Sequence, residues 1–313
     1  FTLTGTPIEN NTMELYAQMQ FVNPGLLGSQ NFFKKEFAIP IDKNNSEEKA
    51  RELQKLIKPF ILRRTKEKVA TELPPKTEIP LYCEMEPEQR KVYDAFKNEY
   101  KNQVINQIDE EGIEKAKFNV LEALLKLRQV CDSPAILNTD EDFGSQSVKI
   151  QELMRHLREK TGKHKVLIFS QFVSMLKLIT GELDNEKISY SYLDGSTKDR
   201  ENAVRRFQEE NDCRVMVISL KAGGLGLNLT EADYIYLVDP WWNPAVEQQA
   251  VDRSHRIGQD KHVFAYKMIC RDTVEEKILK LQEKKKSLAS DLITAEQSFV
   301  KQLTEEDIRA IFE

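Results

Sequence analysis

The chain has little with which to hold a metal or a disulfide. Its four cysteines, Cys83, Cys131, Cys213 and Cys270, are scattered through 313 residues with no C-x-x-C pair, and His156, His164, His255 and His262 show no ligand spacing. That pattern argues against a disulfide framework or a zinc module and predicts buried, reduced thiols in an intracellular protein, so no metal ligand is assigned. No apolar run approaches the roughly 20 residues that a membrane-spanning helix needs, and Phe1 opens no signal or transit peptide. A formal net charge of −5 and a pI near 5.7 exclude a uniformly basic coat, so any nucleic-acid contact must come from a local patch. Also missing is a phosphate-cradling G-x-x-x-x-G-K-S/T loop. A decoy for a magnesium-holding acid pair is VINQIDEEG, Val104 to Gly112. There Val104, Ile105 and Ile108 recur at helical spacing and Asn106 and Gln107 interrupt them, which predicts a solvated helix rather than a buried strand. What is present is an ordinary soluble balance, 40% apolar and 31% charged, in a length that suits one or two domains.

The chain is organised around Val215 to Gln259, VMVISLKAGGLGLNLTEADYIYLVDPWWNPAVEQQAVDRSHRIGQ. Val215 to Ile218 and Tyr234 to Val238 have the length and the β-branched or aromatic content of buried strands, and Asn243-Pro244 opens a helix expected to reach about Ile257. The order strand, glycine loop, strand, turn, helix places both loops at one end of a sheet, where open α/β sheets bind ligands. On a helical wheel Val246, Ala250 and Ile257 form a narrow apolar stripe, with Gln249, Arg253 and Arg256 along one flank. Spacing alone leaves two readings open. The arginines either offset the helix dipole and pair with Asp252, or converge on a phosphate.

Upstream, FTLTGTPIEN ends a strand in a Thr-Gly-Thr-Pro turn. A helix follows with Leu15, Met19 and Val22 on one face, then a cluster of Phe32, Phe33 and Phe37 expected to be core. Asp42 to Lys49 reads as a loop or a capped helix start, and PFILRRTKEKV, Pro59 to Val69, as a basic connector. Thr77 to Cys83 is a short strand that Pro80 consigns to an edge, and Pro87 to Leu137 is mostly helical. Asp140 to Gln146 is a linker candidate. From Ser147 helices over 149–159, 173–183 and 198–210 alternate with strands over 166–169, 190–193 and 262–270. That alternation predicts an α/β fold, a doubly wound, mostly parallel sheet covered on both faces. Thr273 to Ile293 and KQLTEEDIRAIFE supply terminal helices, the second capped by Thr304 with Glu306 and Asp307 in its first turn.

LTGTP, PFILRRTK with ELPPK, LRQVCDSPAIL, SLKAGGLGLNLT, DPWWNP and QAVDRSHRIGQ together resemble the SWI/SNF family of DNA-dependent ATPases within helicase superfamily two. The resemblance implies a RecA-like fold with an α-helical insertion and C-terminal bracing helices. It divides the chain into 1–28, the end of a first ATPase lobe; 29–146, interlobe and helical insertion; 147–272, the second RecA-like lobe; and 273–313, a brace. The implied cofactor is ATP with magnesium, the metal being held by a first lobe outside this sequence, so that this chain alone is expected not to hydrolyse ATP. Arg253 and Arg256 are then arginine fingers, whose planar, permanently charged forks suit phosphate oxygens, and Gln249 positions them or the phosphate chain. Gly224 and Gly226 let backbone approach closely, while Asn228 lies near the nucleotide sugar or orders the last motif. Ser170 and Gln171 belong beside nucleic acid, and Ser219 and Lys221 meet a DNA phosphate. Of Trp241 and Trp242, one packs under the sheet edge and the other lies against the DNA minor groove, in either assignment. Thr4, Gly5 and Thr6 couple the lobes. The implied partner is double-stranded DNA, with no membrane, in the nucleoid of a bacterium or the nucleus of a eukaryote. Two alternatives are a protein-binding remodelling module acting on RNA polymerase or DNA-packaging proteins, and an RNA helicase of the same superfamily.

Overall fold

The computed structural model describes residues 12–42, 46–62, 70, 72–139, 141–223, 226–240, 244–286 and 303–313. The chain divides into two compact units between 71 and 72, and the C-terminal residues 300–313 belong with the second.

In the first unit, α1 (Thr12–Val22) is followed by α2 (Gln30–Phe33), a wider turn over Lys34–Ala38, α3 (Ile39–Asp42) and α4 (Glu47–Ile57). Leu15, Met19, Phe33 and Phe37 pack with Leu53 as expected for an apolar face. Val22 and Phe32 do not: Phe32 is 53% exposed, because adjacent helical positions point about 100° apart and Phe33 takes the inward one. Ser46 caps α4 through Lys49 N–H at 3.4 Å, the capped start read from Asp42 to Lys49.

The second unit carries one six-stranded sheet. Its strands are β1 (Lys76–Cys83), β2 (Lys165–Ser170), β3 (Tyr190–Leu193), β4 (Val215–Ser219), β5 (Ala232–Leu237) and β6 (Val263–Cys270), in the order β1-β6-β5-β2-β4-β3. Every pairing is parallel, with Ser170 opposite Ser219 at the carboxyl ends of β2 and β4. β1 lies on an edge, which tolerates Pro80 in its middle. The helices of this unit include α5 (Pro87–Glu111), α6 (Ile113–Asp132), α7 (Val148–Glu159), α8 (Val173–Asn185), α9 (Arg200–Glu209), α10 (Leu220–Gly223), α11 (Pro244–Val251), α12 (Val274–Lys286) and α13 (Glu305–Phe312).

Strand residues alternate between faces. Leu167, Phe169, Met216, Ile218, Ile235, Leu237, Val263 and Ala265 form one buried face with Phe207 of α9 and Ala250 and Val251 of α11. On the other, His156 of α7 bonds Tyr236 across 3.1 Å and meets the Tyr266 ring edge-on at 5.4 Å. Burial holds the His156 imidazole down at about 4, so it is neutral in this stack. Helices therefore cover both faces, as the alternation predicted. Val104 to Gly112 lies at the end of α5, helical as read, though Val104 and Ile108 are buried rather than solvated. The α5–α6 helices group with the sheet by compactness. The boundaries expected at 28/29 and 146/147 follow motifs instead.

Candidate functional site

The loops at the carboxyl ends of the strands bring the candidate residues to one edge. β2 ends on Ser170, β4 on Ser219, and Asp239 stands just beyond β5. Lys221 is exposed on α10, while Ser219 is buried and its hydroxyl accepts the Ala222 N–H at 3.2 Å, stabilising the start of the glycine loop. Gly226 has φ +74°, a conformation that a side chain disfavours. Nothing lies within 4 Å of where its Cβ would sit, so the backbone angle, not crowding by this chain, requires glycine there. Gly224, Trp241, Trp242, Thr4, Gly5 and Thr6 lie outside the described residues, as do Asn243 and Arg63 to Val69.

The last motif corrects one expectation. The helix expected to reach Ile257 ends at Val251, and residues 252–258 continue as a series of turns and bends. Helical bonding gives way because tertiary partners take the polar groups. The Leu229 N–H donates to the Arg253 carbonyl at 3.0 Å, and the buried Ser254 hydroxyl donates to the Ala232 carbonyl. Gln259, also buried, donates to the Thr230 carbonyl at 2.9 Å and the Ala232 carbonyl at 2.8 Å. Gly258, at φ +102°, permits the final reversal. Ile257 is 76% exposed and belongs to no apolar stripe. Gln249 therefore sits on α11, while Arg253 and Arg256 sit on the turns after it.

Those turns leave Arg253 within electrostatic reach of Arg256 and of Asp252. Arg256 Nη1 donates to the Leu227 carbonyl at 3.3 Å, so the turn is tied to the glycine loop at two points, Leu227 and Leu229. Arg253 is half-buried, and burial together with the neighbouring Arg256 charge lowers its pKa. Like charges held together in partial burial are relieved by an anion, and two planar forks suit phosphate oxygens. Asn228 is exposed on the same loop, its carbonyl accepting from Gln208 Nε2 at 2.7 Å. α11 is fixed from below by buried Glu247, which pairs with Lys267 of β6 at 2.7 Å.

Ser170 and Gln171 are held by a network that periodicity did not reveal. The Ser170 hydroxyl accepts the Phe172 N–H at 3.0 Å, and the Gln171 N–H donates to Asp239 Oδ2 at 2.9 Å. Burial raises the Asp239 carboxyl to about 6 against the opposing pull of Arg128. Arg128, on α6 and almost fully buried, donates to the Pro240 carbonyl at 2.5 Å, and its guanidinium lies 5.9 Å from the Phe172 ring centroid. One turn along α6, Asp132 meets Lys149 at 2.8 Å, and Lys149 meets Glu275 of α12 at 2.6 Å, all three buried. Burial disfavours the ammonium, yet the two carboxylates outweigh it and hold Lys149 charged, while burial pushes the Asp132 carboxyl up against the opposing pull of Lys149. A signal was available: Lys149 sits one residue into a capped helix between Val148 and Ile150, and Asp239-Pro240 follows a largely buried strand. Cys131, Cys270 and Glu275 also lie close enough to share an ion, but Lys149 already occupies the Glu275 carboxylate.

A doubly wound parallel sheet whose carboxyl edge carries the candidate loops, with Arg253 and Arg256 between β5 and β6, has the RecA-like form of the α/β class. Residues 1–136 match the SNF2-related domain and residues 148–258 the helicase conserved C-terminal domain. The chain is 38% identical to the Sulfolobus solfataricus SWI2/SNF2 ATPase core in complex with double-stranded DNA, with TM-score 0.64, covering 99% of this chain and 65% of that one. It is 33% identical to the Sulfolobus solfataricus SWI2/SNF2 ATPase C-terminal domain, with TM-score 0.61, covering 75% of this chain and 97% of that one. Among curated proteins it is 37% identical to an uncharacterised ATP-dependent helicase of Mycoplasma genitalium, over 99% of this chain and 29% of that protein. It is also 33% identical to the TATA-binding protein-associated factor MOT1 of Saccharomyces cerevisiae, over 95% of this chain and 19% of that protein. The chain belongs to the SWI2/SNF2 family. It spans less than a third of the length of these curated relatives.

Proposed function

We propose that this chain is the C-terminal part of an ATP-driven translocase on double-stranded DNA, and that it acts by closing on ATP bound by a preceding lobe. The observation that carries the reading is the pairing of Arg253 with Arg256 on a turn bonded to the glycine loop at Leu227 and Leu229. Both arginines would reach the γ-phosphate on closure and stabilise the charge that develops there, with Gln249 positioning them. When bound, ATP would supply the phosphoryl group and magnesium would offset part of its charge; Arg253 and Arg256 would hold the phosphate oxygens, and the metal would fall to the first lobe. Ser170, Gln171, Ser219 and Lys221 border the nucleic-acid path, and of these Lys221 is the exposed cation suited to a phosphate. Residues 1–28 would then close the first lobe, 29–146 link it, 147–272 form the second lobe and 273–313 brace it.

DNA-stimulated ATPase of the intact protein tests this. Double-stranded DNA should stimulate more than single strands or RNA, whereas equal stimulation by RNA would favour the RNA-helicase alternative. The 313-residue chain alone should show no turnover. A protein-binding role is favoured by one observation, the exposure of Phe118, at 74%, and of Leu125 two turns along α6. Capture of RNA polymerase or a DNA-packaging protein, lost in Phe118→Ser with ATPase retained, would support that role beside the motor.

A further inference from the structure

The second unit begins at Glu72, so residues 72–76 are where the chain enters it. Among the described residues, three hydrogen bonds tie this entry segment to α11, the turns after it and the strand that follows. His255 Nε2 donates to the Pro74 carbonyl at 2.8 Å. The Val263 N–H donates to the Pro75 carbonyl at 3.1 Å, and Lys76 Nζ donates to Gln248 Oε1 at 3.1 Å. Pro74 and Pro75 have no N–H, so their backbone can be held only through their carbonyls. A carbonyl only accepts, which fixes the proton on His255 Nε2.

His255 stands between Ser254, anchored to the Ala232 carbonyl, and Arg256, bonded to the Leu227 carbonyl. Its backbone thus belongs to the turn that carries both arginines, while its ring grips the entry of the chain. A rotation of that turn must carry Pro74 with it or break the bond.

We propose that His255 is a positioning residue that couples the arginine-bearing turn to the segment through which the chain enters the second unit, so that closure on phosphate is transmitted as a pull on that segment. This rests on the reading of Arg253 and Arg256 as phosphate-binding. His255 itself touches no reacting atom. Phenylalanine keeps the ring and removes the donor; glutamine places an amide N–H near Nε2 and should restore the bond.

The test uses the intact protein and two readouts. In hydrogen exchange without nucleotide, His255→Phe should speed exchange of the Val263 amide by about threefold to tenfold, the range expected for one lost hydrogen bond, and His255→Gln by less than about twofold. In triplex displacement on double-stranded DNA, His255→Phe should lower the distance moved per ATP consumed by about tenfold, and His255→Gln should recover most of it. Unchanged exchange at Val263 in His255→Phe, or a wild-type distance per ATP, would overturn the coupling. An unmodified protein with no DNA-stimulated turnover would overturn the translocase reading instead, and the exchange readout would still decide whether His255 holds the entry segment.

Discussion

Replacing Lys149 by methionine removes one cation and leaves its two carboxylates where they are. Asp132 and Glu275 are buried at 2.8 Å and 2.6 Å from Nζ, so no water can take over from the ammonium without opening α6 from α12. Burial already pushes the Asp132 carboxyl up, and the ammonium at 2.8 Å is what holds it ionised, so without Lys149 the folded variant takes up one more proton than the wild type, at Asp132. Protonating a carboxyl of ordinary pKa near 4 at pH 7 costs about 3 units, or about 4 kcal/mol at 1.36 kcal/mol per unit. The same size, about 3–5 kcal/mol, is typical when one partner of a buried pair is deleted. For a unit of this length the melting temperature should fall by roughly 8–16 °C. The sign with pH follows from linkage. Above pH 4 the folded variant binds more protons than the unfolded chain, so its stability deficit should shrink by about 1.4 kcal/mol for each unit from pH 7 down to pH 5. Urea unfolding followed by circular dichroism at pH 5, 6 and 7 measures this. A loss under about 1 kcal/mol, or one independent of pH, would refute the reasoning that both carboxylates depend on Lys149.

Asp239→Asn should flatten part of the pH dependence of stability. The wild-type carboxyl, raised by burial to about 6, favours the folded state most below its unfolded pKa near 4, and that contribution is lost as pH rises through about 6. Urea midpoints from pH 4 to 7 check it, an unaltered slope being the contrary result. Lys221→Ala in the intact protein should weaken binding alike on all duplex sequences and reduce the salt slope by about 1, as expected for one phosphate contact. Sequence-dependent weakening in a binding titration would argue for base contact instead. Arg128→Lys should lower DNA affinity at unchanged Lys221, because a point charge cannot both bond the Pro240 carbonyl and lie flat beside Phe172. An affinity equal to wild type would remove Arg128 from the support of that loop.

The sheet was legible because its central strands β5, β2 and β4 are largely apolar runs separated by helical patterns, and Pro80 marked β1 as an edge before its partner β6 was known. The candidate site was legible by motif but not in its local geometry. A helical wheel assumes that each helix continues until a local stop signal, whereas α11 ends where Leu229, Ala232 and Gln259 supply competing tertiary bonds. The buried network was hidden for a related reason. Arg128 and Pro240 are 112 positions apart, and Lys149 is 126 from Glu275, so no window of the chain contains both members of either contact. Phe32 and Phe33 show the smaller limit: composition marked both as core, and only the helical rotation between them decided which one is.

Arg256 provides the most direct test of the proposed site. In the intact protein with saturating double-stranded DNA, Arg256→Ala should lower turnover by roughly 10³ or more, the effect of losing an arginine finger. Among the described residues its side chain bonds the Leu227 carbonyl at 3.3 Å. Losing it should cost about 1 kcal/mol, so the melting temperature should move by only a few degrees. Arg256→Lys should rescue turnover poorly, since an ammonium lacks the bidentate fork. Turnover and melting measured on the same preparations give the decision: a large loss of rate in a stable protein is the predicted result, and near-normal turnover in Arg256→Ala would contradict it.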